Sequence, residues 1–311
     1  MKNLTTTPIF PIPPAFDNAG KLDITAIDNY IKYLDKEGVE VIMTTAGTSQ
    51  FNLLTIDEIL HFNTICGERK QAILGVPMLS TEHAVDFIQK MNELKLHNCS
   101  LLLLYPDRYY CDEVIVDHFN TLADQSDYPC LIHGMFMRNA TGGTYNFTAD
   151  LINKISKHPN IVGMKEETTD IGSAYKVCKD IDTDNFAVIV AGGSMKRFLA
   201  LHSTGAQTFL SGIGNILPKL DIEFHKHLTN GNLKQAYSIV NEYENIFFDV
   251  FMKYGWHQSL REALYIEGYY TENTRPPFPR ASVSAIDDIQ KIKVDKDFLL
   301  KDGLKISVNP L

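Results

Sequence analysis

The sequence predicts a closed (β/α)8 barrel followed by a C-terminal helical region, and three observations carry this. Short apolar runs alternate with segments of helical spacing eight times between residues 10 and 228. Strict alternation of strand and helix argues for a parallel sheet, and eight such units argue for closing it into a barrel. Neither a GxGxxG turn after the first strand nor a P-loop occurs, so the signals of an open, doubly wound sheet are missing.

The elements follow in order. Phe10–Phe16 is apolar but holds three prolines, which predicts a distorted first strand. Ile24–Glu37 has helical spacing at Ile27, Ile31 and Leu34 and stops at Gly38, a suitable C′ glycine. Val39–Thr45 is a β-branched strand. Thr55–Glu68 is a helix whose first turn holds Asp57 and Glu58, favourable to its dipole. Gln71–Pro77 is a strand, and Ser80-Thr81-Glu82 opens a helix that ends near Leu96. Strands at Ser100–Tyr105, Pro129–Met135, 161–167, Phe186–Ala191 and Ala206–Ser211 alternate with helices at Asp112–Gln125, Thr148–Lys157, Gly172–Ile181, Met195–His202 and Leu217–Leu228. Residues 1–228 are therefore expected to form the barrel. Residues 229–311 are expected to form the helical region, with helices at Leu233–Tyr254, Ser259–Gly268 and Val283–Ile292 around the breaker Arg275-Pro276-Pro277-Phe278-Pro279.

Composition narrows the function. Apolar content of 44% with 22% charged residues is that of a globular chain with a large core. A net charge of −9 argues against a broad nucleic-acid surface but leaves room for a local anion pocket. The five cysteines are scattered and none forms a CxxC pair, which predicts reduced thiols, no zinc site and a cytoplasmic protein. The N-terminal residues lack the apolar core of a signal peptide, and the apolar runs are too short to span a membrane.

In a barrel of this kind the chemistry lies at the C-terminal ends of the strands. The sixth strand, Ile161-Val162-Gly163-Met164-Lys165-Glu166-Glu167, runs from apolar residues into a lysine. A dry pocket would favour its neutral amine, a nucleophile toward carbonyl carbon. Equally, a strand-end lysine can snorkel to solvent. After the second strand, Ala46-Gly47-Thr48-Ser49-Gln50 offers small residues, hydroxyls and open backbone N–H groups for a carboxylate, or simply makes a βα turn. The fourth strand leads into Tyr105-Pro106-Asp107-Arg108-Tyr109-Tyr110, whose phenols could relay a proton or pack an interface. His133 ends the fifth strand as a possible acid/base, or a structural group, and Arg138 follows as a possible carboxylate clamp or surface ion-pair partner. Gly192-Gly193 permits close backbone approach after the seventh strand. No HExxH, His/Asp cluster or cysteine pair suggests a metal.

These residues resemble the dihydrodipicolinate synthase/N-acetylneuraminate lyase family over about residues 5–295. The most specific match is His158-Pro159-Asn160-Ile161-Val162-Gly163-Met164-Lys165-Glu166. Gly205-Ala206 through Gly212, Asn215, Pro218, Phe51-Asn52-Leu53-Leu54-Thr55, Asp57-Glu58 and Arg275-Pro276-Pro277 also fit. The resemblance implies a class I, Schiff-base barrel handling pyruvate without a cofactor, in a cytoplasmic homo-oligomer, dimer or tetramer. It implies Lys165 as the imine-forming residue, with Thr48, Gly47, Ser49, Arg138, Gly192 and Leu210 lining the substrate.

The chain also departs from the family pattern. The family's carboxylate loop, Gly-Thr-Thr-Gly-Glu, reads Ala46-Gly47-Thr48-Ser49-Gln50 here, so the relay threonine is Gly47. The family's strand-five tyrosine is His133, and its tyrosine from a neighbouring subunit falls at Asp107, which leaves Tyr109 or Tyr110 to serve if the loop is shifted. The expectation is a Schiff-base lyase or aldolase on a 2-oxo acid, with Lys165 and His133 catalytic. The alternatives are 4-hydroxy-tetrahydrodipicolinate synthase proper, or a catalytically impaired ligand-binding barrel.

Overall fold

Side chains alternate along each barrel strand, and this alternation sorts the apolar residues into two cores. The computed structural model describes residues 6–44, 47–106, 110–135, 137–138, 144–181 and 185–301. Among these residues, eight parallel strands follow one another in sequence order: β1 (Ile9–Pro11), β2 (Val41–Met43), β3 (Gln71–Gly75), β4 (Cys99–Leu103), β5 (Cys130–Met135), β6 (Ile161–Glu167), β7 (Ala187–Val190) and β8 (Thr208–Phe209). A parallel bridge between Ile9 and Leu210, with Ser211 N donating to Ile9 O at 2.7 Å, closes the ring. Ile9, Val41, Met43, Ile73, Leu102, Leu131, Ile189 and Leu210 fill the barrel interior. Their sequence neighbours Phe10, Ile42, Leu74, Leu101, Ile132 and Val188 face outward and join the core under the helices.

The helices begin where local chemistry favours them. Helices α1 (Ile24–Lys36), α3 (Thr81–Glu93), α5 (Ala149–Ile155) and α6 (Ile171–Asp180) start behind side-chain caps from Asp23, Ser80, Thr148 and Asp170. At α2 (Ile56–Arg69), Thr55 and Glu58 make a reciprocal capping box. Gly38, at φ +87°, ends α1 as the sequence predicts. Helices α4 (Asp112–Asp124), α7 (Ser194–Leu201) and α8 (Pro218–Thr229) complete the outer ring. A short antiparallel hairpin, Met137–Arg138 with Thr144–Tyr145, follows β5 and has no counterpart in the sequence reading.

Beyond the barrel the helix expected at Leu233–Tyr254 is interrupted. It divides into α9 (Leu233–Ile239), a π turn at Val240–Glu244, and α10 (Asn245–Tyr254). The last residue of the π turn lies against α7, which has no side-chain N-cap of its own. The Glu244 carboxylate supplies one, accepting from Met195 N at 2.8 Å and Lys196 N at 3.0 Å. Helix α11 (Trp256–Ile266) starts three residues earlier than expected, and α12 (Val283–Lys301) runs well past Ile292. Among the described residues no helix is long and apolar enough to cross a membrane.

Arg275 ties this region to the barrel. Its guanidinium meets both Glu58 oxygens at 2.7 Å, donates to Leu53 O at 2.8 Å and lies 4.4 Å from the centre of the Phe16 ring. On α8 and at the end of the π turn, burial pushes the Asp221 carboxyl up to about 8 and that of Glu244 to about 7. Both Asp221 oxygens are buried, and hydrogen bonding from the Ser211 hydroxyl and the Gly212 N–H opposes the rise without cancelling it. A carboxyl whose folded pKa exceeds its unfolded value near 4 stabilises fully below that value and loses this contribution as pH rises through the folded pKa. Asp221→Asn is therefore expected to stabilise by roughly 1–3 kcal/mol at pH 8.5 and by almost nothing at pH 4. Thermal melts at both pH values test this, and equal shifts would refute it.

Candidate active site

Strand register decides which groups meet inside the barrel. In the ladder His133 pairs with Lys165, and Lys165 with Ile189. With a period of two, Lys165 and Glu167 share the inner face of β6 while Met164 and Glu166 face outward. Gly163 permits the close approach of β7, because a Cβ there would lie 2.7 Å from Ala187 O.

Lys165 is fully buried. Its Nζ lies 2.7 Å from His133 Nε2 and also contacts Glu167 Oε2, which is 2.7 Å from the same His133 nitrogen. Three ionisable groups thus touch pairwise. The nitrogen is buried and doubly partnered. Burial, reinforced by the positive charge of Lys165, lowers the His133 pKa to about 4 against the opposing pull of Glu167. For Glu167, burial would raise the carboxyl, but the Lys165 charge and the His133 bond outweigh it and hold the group well below the usual range. His133 is thus a neutral imidazole at pH 7, not one poised near 6.5. Its Nδ1 is buried without a partner among the described residues.

On the outer face of the strand, Glu166 is fully buried and pairs with Arg197 on α7, Nη2 to Oε2 at 2.7 Å. Its other oxygen accepts from Thr168 N at 2.8 Å. This pair fixes the end of β6 against α7 and so fixes where Lys165 and Glu167 point.

The remaining expected residues distribute as follows. Gly47, Thr48 and Ser49 form a short 3-10 turn at the end of β2, with Gly47 exposed, Thr48 partly exposed and Ser49 buried. Ser49 Oγ lies 3.5 Å from Met43 O. Gln50 follows in the left-handed region at φ 49°. Gly192, at φ +73°, abuts the site: a Cβ there would lie 3.3 Å from Glu167 Cγ. Leu210 belongs to the inner core, on the strand that closes the ring. Tyr110 stacks on Tyr145 at 5.0 Å between ring centres, and Tyr145 donates to Asp112. Tyr109 lies outside the described residues. Arg138 is described only as backbone, paired with Thr144 in the hairpin.

Reasoning from sequence missed Glu167, although its period-two spacing from Lys165 was available. It also missed His257 on α11, for which no local signal existed. His257 and Gly47 line one cleft of about 440 Å³ with Gln50, Gln258 and Phe278. A second cleft, about 630 Å³, lies at the opposite end of the strands between Gln71, Lys95 and Tyr128, away from Lys165. Among the described residues no group of three His, Cys, Asp or Glu side chains is placed to hold a metal.

Comparison with known proteins decides the lineage. The model of the dihydrodipicolinate synthetase family matches residues 6–294. The chain belongs to that family. A 4-hydroxy-tetrahydrodipicolinate synthase of Karelsulcia muelleri is 26% identical over 290 residues, covering 91% of this chain and 94% of that protein. One from Streptococcus mutans is 29% identical over 200 residues, covering 63% and 66%. The crystal structure of dihydrodipicolinate synthase from Aquifex aeolicus superposes with a TM-score of 0.83 at 19% identity, covering 94% and 98%. This family member therefore shares the barrel of its relatives at low sequence identity.

Two measurements check the site's construction. The His133 ring is expected to titrate near pH 4 by NMR, and a midpoint near 6.5 would contradict its neutral, buried placement. Arg197→Met should cost about 3–5 kcal/mol in urea unfolding, because it leaves a buried carboxylate without its cation. A loss below about 1 kcal/mol would show that the pair contributes little at this position.

Proposed function

We propose that this chain is a Schiff-base-forming lyase of the class I aldolase type, acting on pyruvate or a longer 2-oxo acid. The observation that carries the reading is the buried Lys165 nitrogen, in contact with a neutral imidazole and a carboxylate at the C-terminal end of a barrel strand. Family membership supports the same chemistry.

In this reading His133 takes a proton from the Lys165 ammonium, and the freed amine attacks the substrate's carbonyl carbon. The carbinolamine hydroxyl then receives a proton through His133 and leaves as water, giving the iminium. For cleavage, the C4 hydroxyl gives its proton to His133, the C3–C4 bond breaks, and its electron pair enters the iminium as an enamine. Condensation reverses these steps. His133 thus takes the part of the family's strand-five tyrosine, and Glu167 is the carboxylate that aligns it. The turn Gly47–Ser49 holds the substrate carboxylate through backbone N–H groups and the Thr48 hydroxyl, with Gly192 and Leu210 beside it and Arg138 toward the second half of the substrate. Tyr109 or Tyr110 completes the relay from the β4 loop. A homo-oligomer in the cytoplasm is part of the proposal, supported by the family resemblance and by five cysteines that form no disulfide.

A second reading, condensation of pyruvate with aspartate semialdehyde, is favoured by the names of the relatives. A coupled assay with those two substrates distinguishes it.

The test of the main reading is borohydride trapping with pyruvate and longer 2-oxo acids, followed by peptide mapping. The mass shift is expected on the peptide holding Lys165 and is lost in Lys165→Ala. No shift in folded wild-type protein with any acid would exclude imine chemistry. His133→Phe is expected to slow turnover about 100-fold or more while the imine is still trapped. Wild-type turnover in that variant would remove His133 from the relay.

A further inference from the structure

Imine chemistry on a lysine puts a cation on its nitrogen twice, first as the ammonium and then as the iminium. Here that nitrogen is fully buried, in a barrel whose interior is built of Ile73, Leu102, Leu131 and Ile189. A cation in such surroundings persists only beside an anion, and an iminium left alone there sheds its proton to become a neutral imine. A neutral imine is no electron sink. The proton must therefore stay on the nitrogen until the electron pair at C3 has been delivered.

Glu167 is placed to hold it. Its Oε2 touches Lys165 Nζ and lies 2.7 Å from His133 Nε2, so a single oxygen faces both nitrogens. Strand geometry fixes the contact. Glu167 stands two residues beyond Lys165 on the inner face of β6, and His133 lies opposite Lys165 in the ladder. Gly192 packs against the carboxylate, since a Cβ there would lie 3.3 Å from Glu167 Cγ and 3.7 Å from Oε1. Burial raises the carboxyl, but the Lys165 charge and the His133 bond lower it by more, and it is ionised at neutral pH. The carboxylate charge also reaches His257 on α11, opposing the lowering of that ring's pKa by the surrounding protein.

We propose that Glu167 is a catalytic residue, the counterion first of the Lys165 iminium and then of the His133 imidazolium. This deepens the Schiff-base reading and rests on it. With the iminium formed, its charge is paired with the carboxylate and His133 is neutral. When the C3–C4 bond breaks, its electron pair forms the C2–C3 double bond and the C=N π pair returns to nitrogen. The C4 hydroxyl proton passes to His133, and C4 leaves as a carbonyl. The nitrogen is now neutral and the imidazole charged, and the same Glu167 oxygen pairs with it. Positive charge thus moves between two nitrogens in reach of one fixed anion, and the net charge of the three groups does not change. A carboxylate that faced only the lysine would hold the iminium and oppose its collapse to the enamine. One that faces both nitrogens stabilises the charge on either side of the step.

The experiment needs only pyruvate, a methyl proton taking the place of the C3–C4 bond. NMR of enzyme-bound pyruvate labelled with carbon-13 at C2 separates iminium from neutral imine, and exchange of the methyl protons in deuterium oxide reports the enamine. In Glu167→Gln the pH at which the iminium loses its proton is expected to fall by about two units, within the roughly 1–3 units that a contacting opposite charge supplies. The loss of methyl exchange should be about tenfold greater at pH 8 than at pH 6, because the protonated fraction falls with it. Glu167→Asp, which keeps the charge, should lie between this variant and the wild type in both measurements. An iminium midpoint in Glu167→Gln equal to that of the wild type, or a loss of exchange that is the same at every pH, overturns the counterion and leaves the imine intact. If the wild type forms no adduct with pyruvate, the Schiff-base reading fails and takes the counterion with it.

Discussion

A charged nitrogen cannot be sealed inside a barrel without partners, and the Lys165–His133–Glu167 contact is how this chain meets that constraint. The lysine is fully buried, and leaving such a group unpaired costs several kcal/mol. Its two partners reach it from adjacent positions of the same ladder, His133 across β5 and Glu167 two residues along β6. The register of one strand pair therefore sets both the stability of the buried amine and the geometry of its chemistry. A slip of one residue would turn Lys165 toward the helices and bring Glu166 into the barrel.

The same strand carries a second ion pair on its other face. Glu166 and Arg197 are both buried, more so than Glu167 of the inner group, yet they pack against α7 and belong to the architecture. The two pairs illustrate how alternation separates roles along a few residues. The outer pair anchors the strand against α7, and the inner group opens toward the C-terminal end of the barrel through the part-exposed Glu167. Burial and pairing alone do not mark a functional group. The face of the sheet decides, together with the end of the barrel at which the group sits.

Much of the fold was legible because each barrel unit carries its own local signal. Period-two apolar runs, capping residues such as Thr55 and Ser80, and the glycine at 38 each act within a few residues. The place of Lys165 near the end of a buried strand was legible for the same reason. What escaped depends on distance in sequence. Glu244, at the end of the π turn Val240–Glu244, caps a helix some fifty residues earlier, and no pattern near 244 announces this. His257 reaches the β2 turn from α11, which only the closed barrel brings near. Glu167 is different: its spacing from Lys165 was sufficient, but a run of two glutamates after a strand reads as solvated charge until the strand is known to continue through them. The depressed pKa of His133 likewise needed the three-dimensional environment, since the residue type alone points near 6.5.

Glu58 takes part in two structures at once, the capping box of α2 and the bidentate clamp on Arg275. Arg275 also holds Leu53 O, just after the β2 turn. The loop that borders the barrel mouth is thereby tethered to the far end of the chain, with a rigid ion pair as the link. Changes in the C-terminal region can therefore shift the loop without altering any residue in it. A substitution that displaces Arg275 therefore displaces the carbonyl of Leu53 and the start of α2 together.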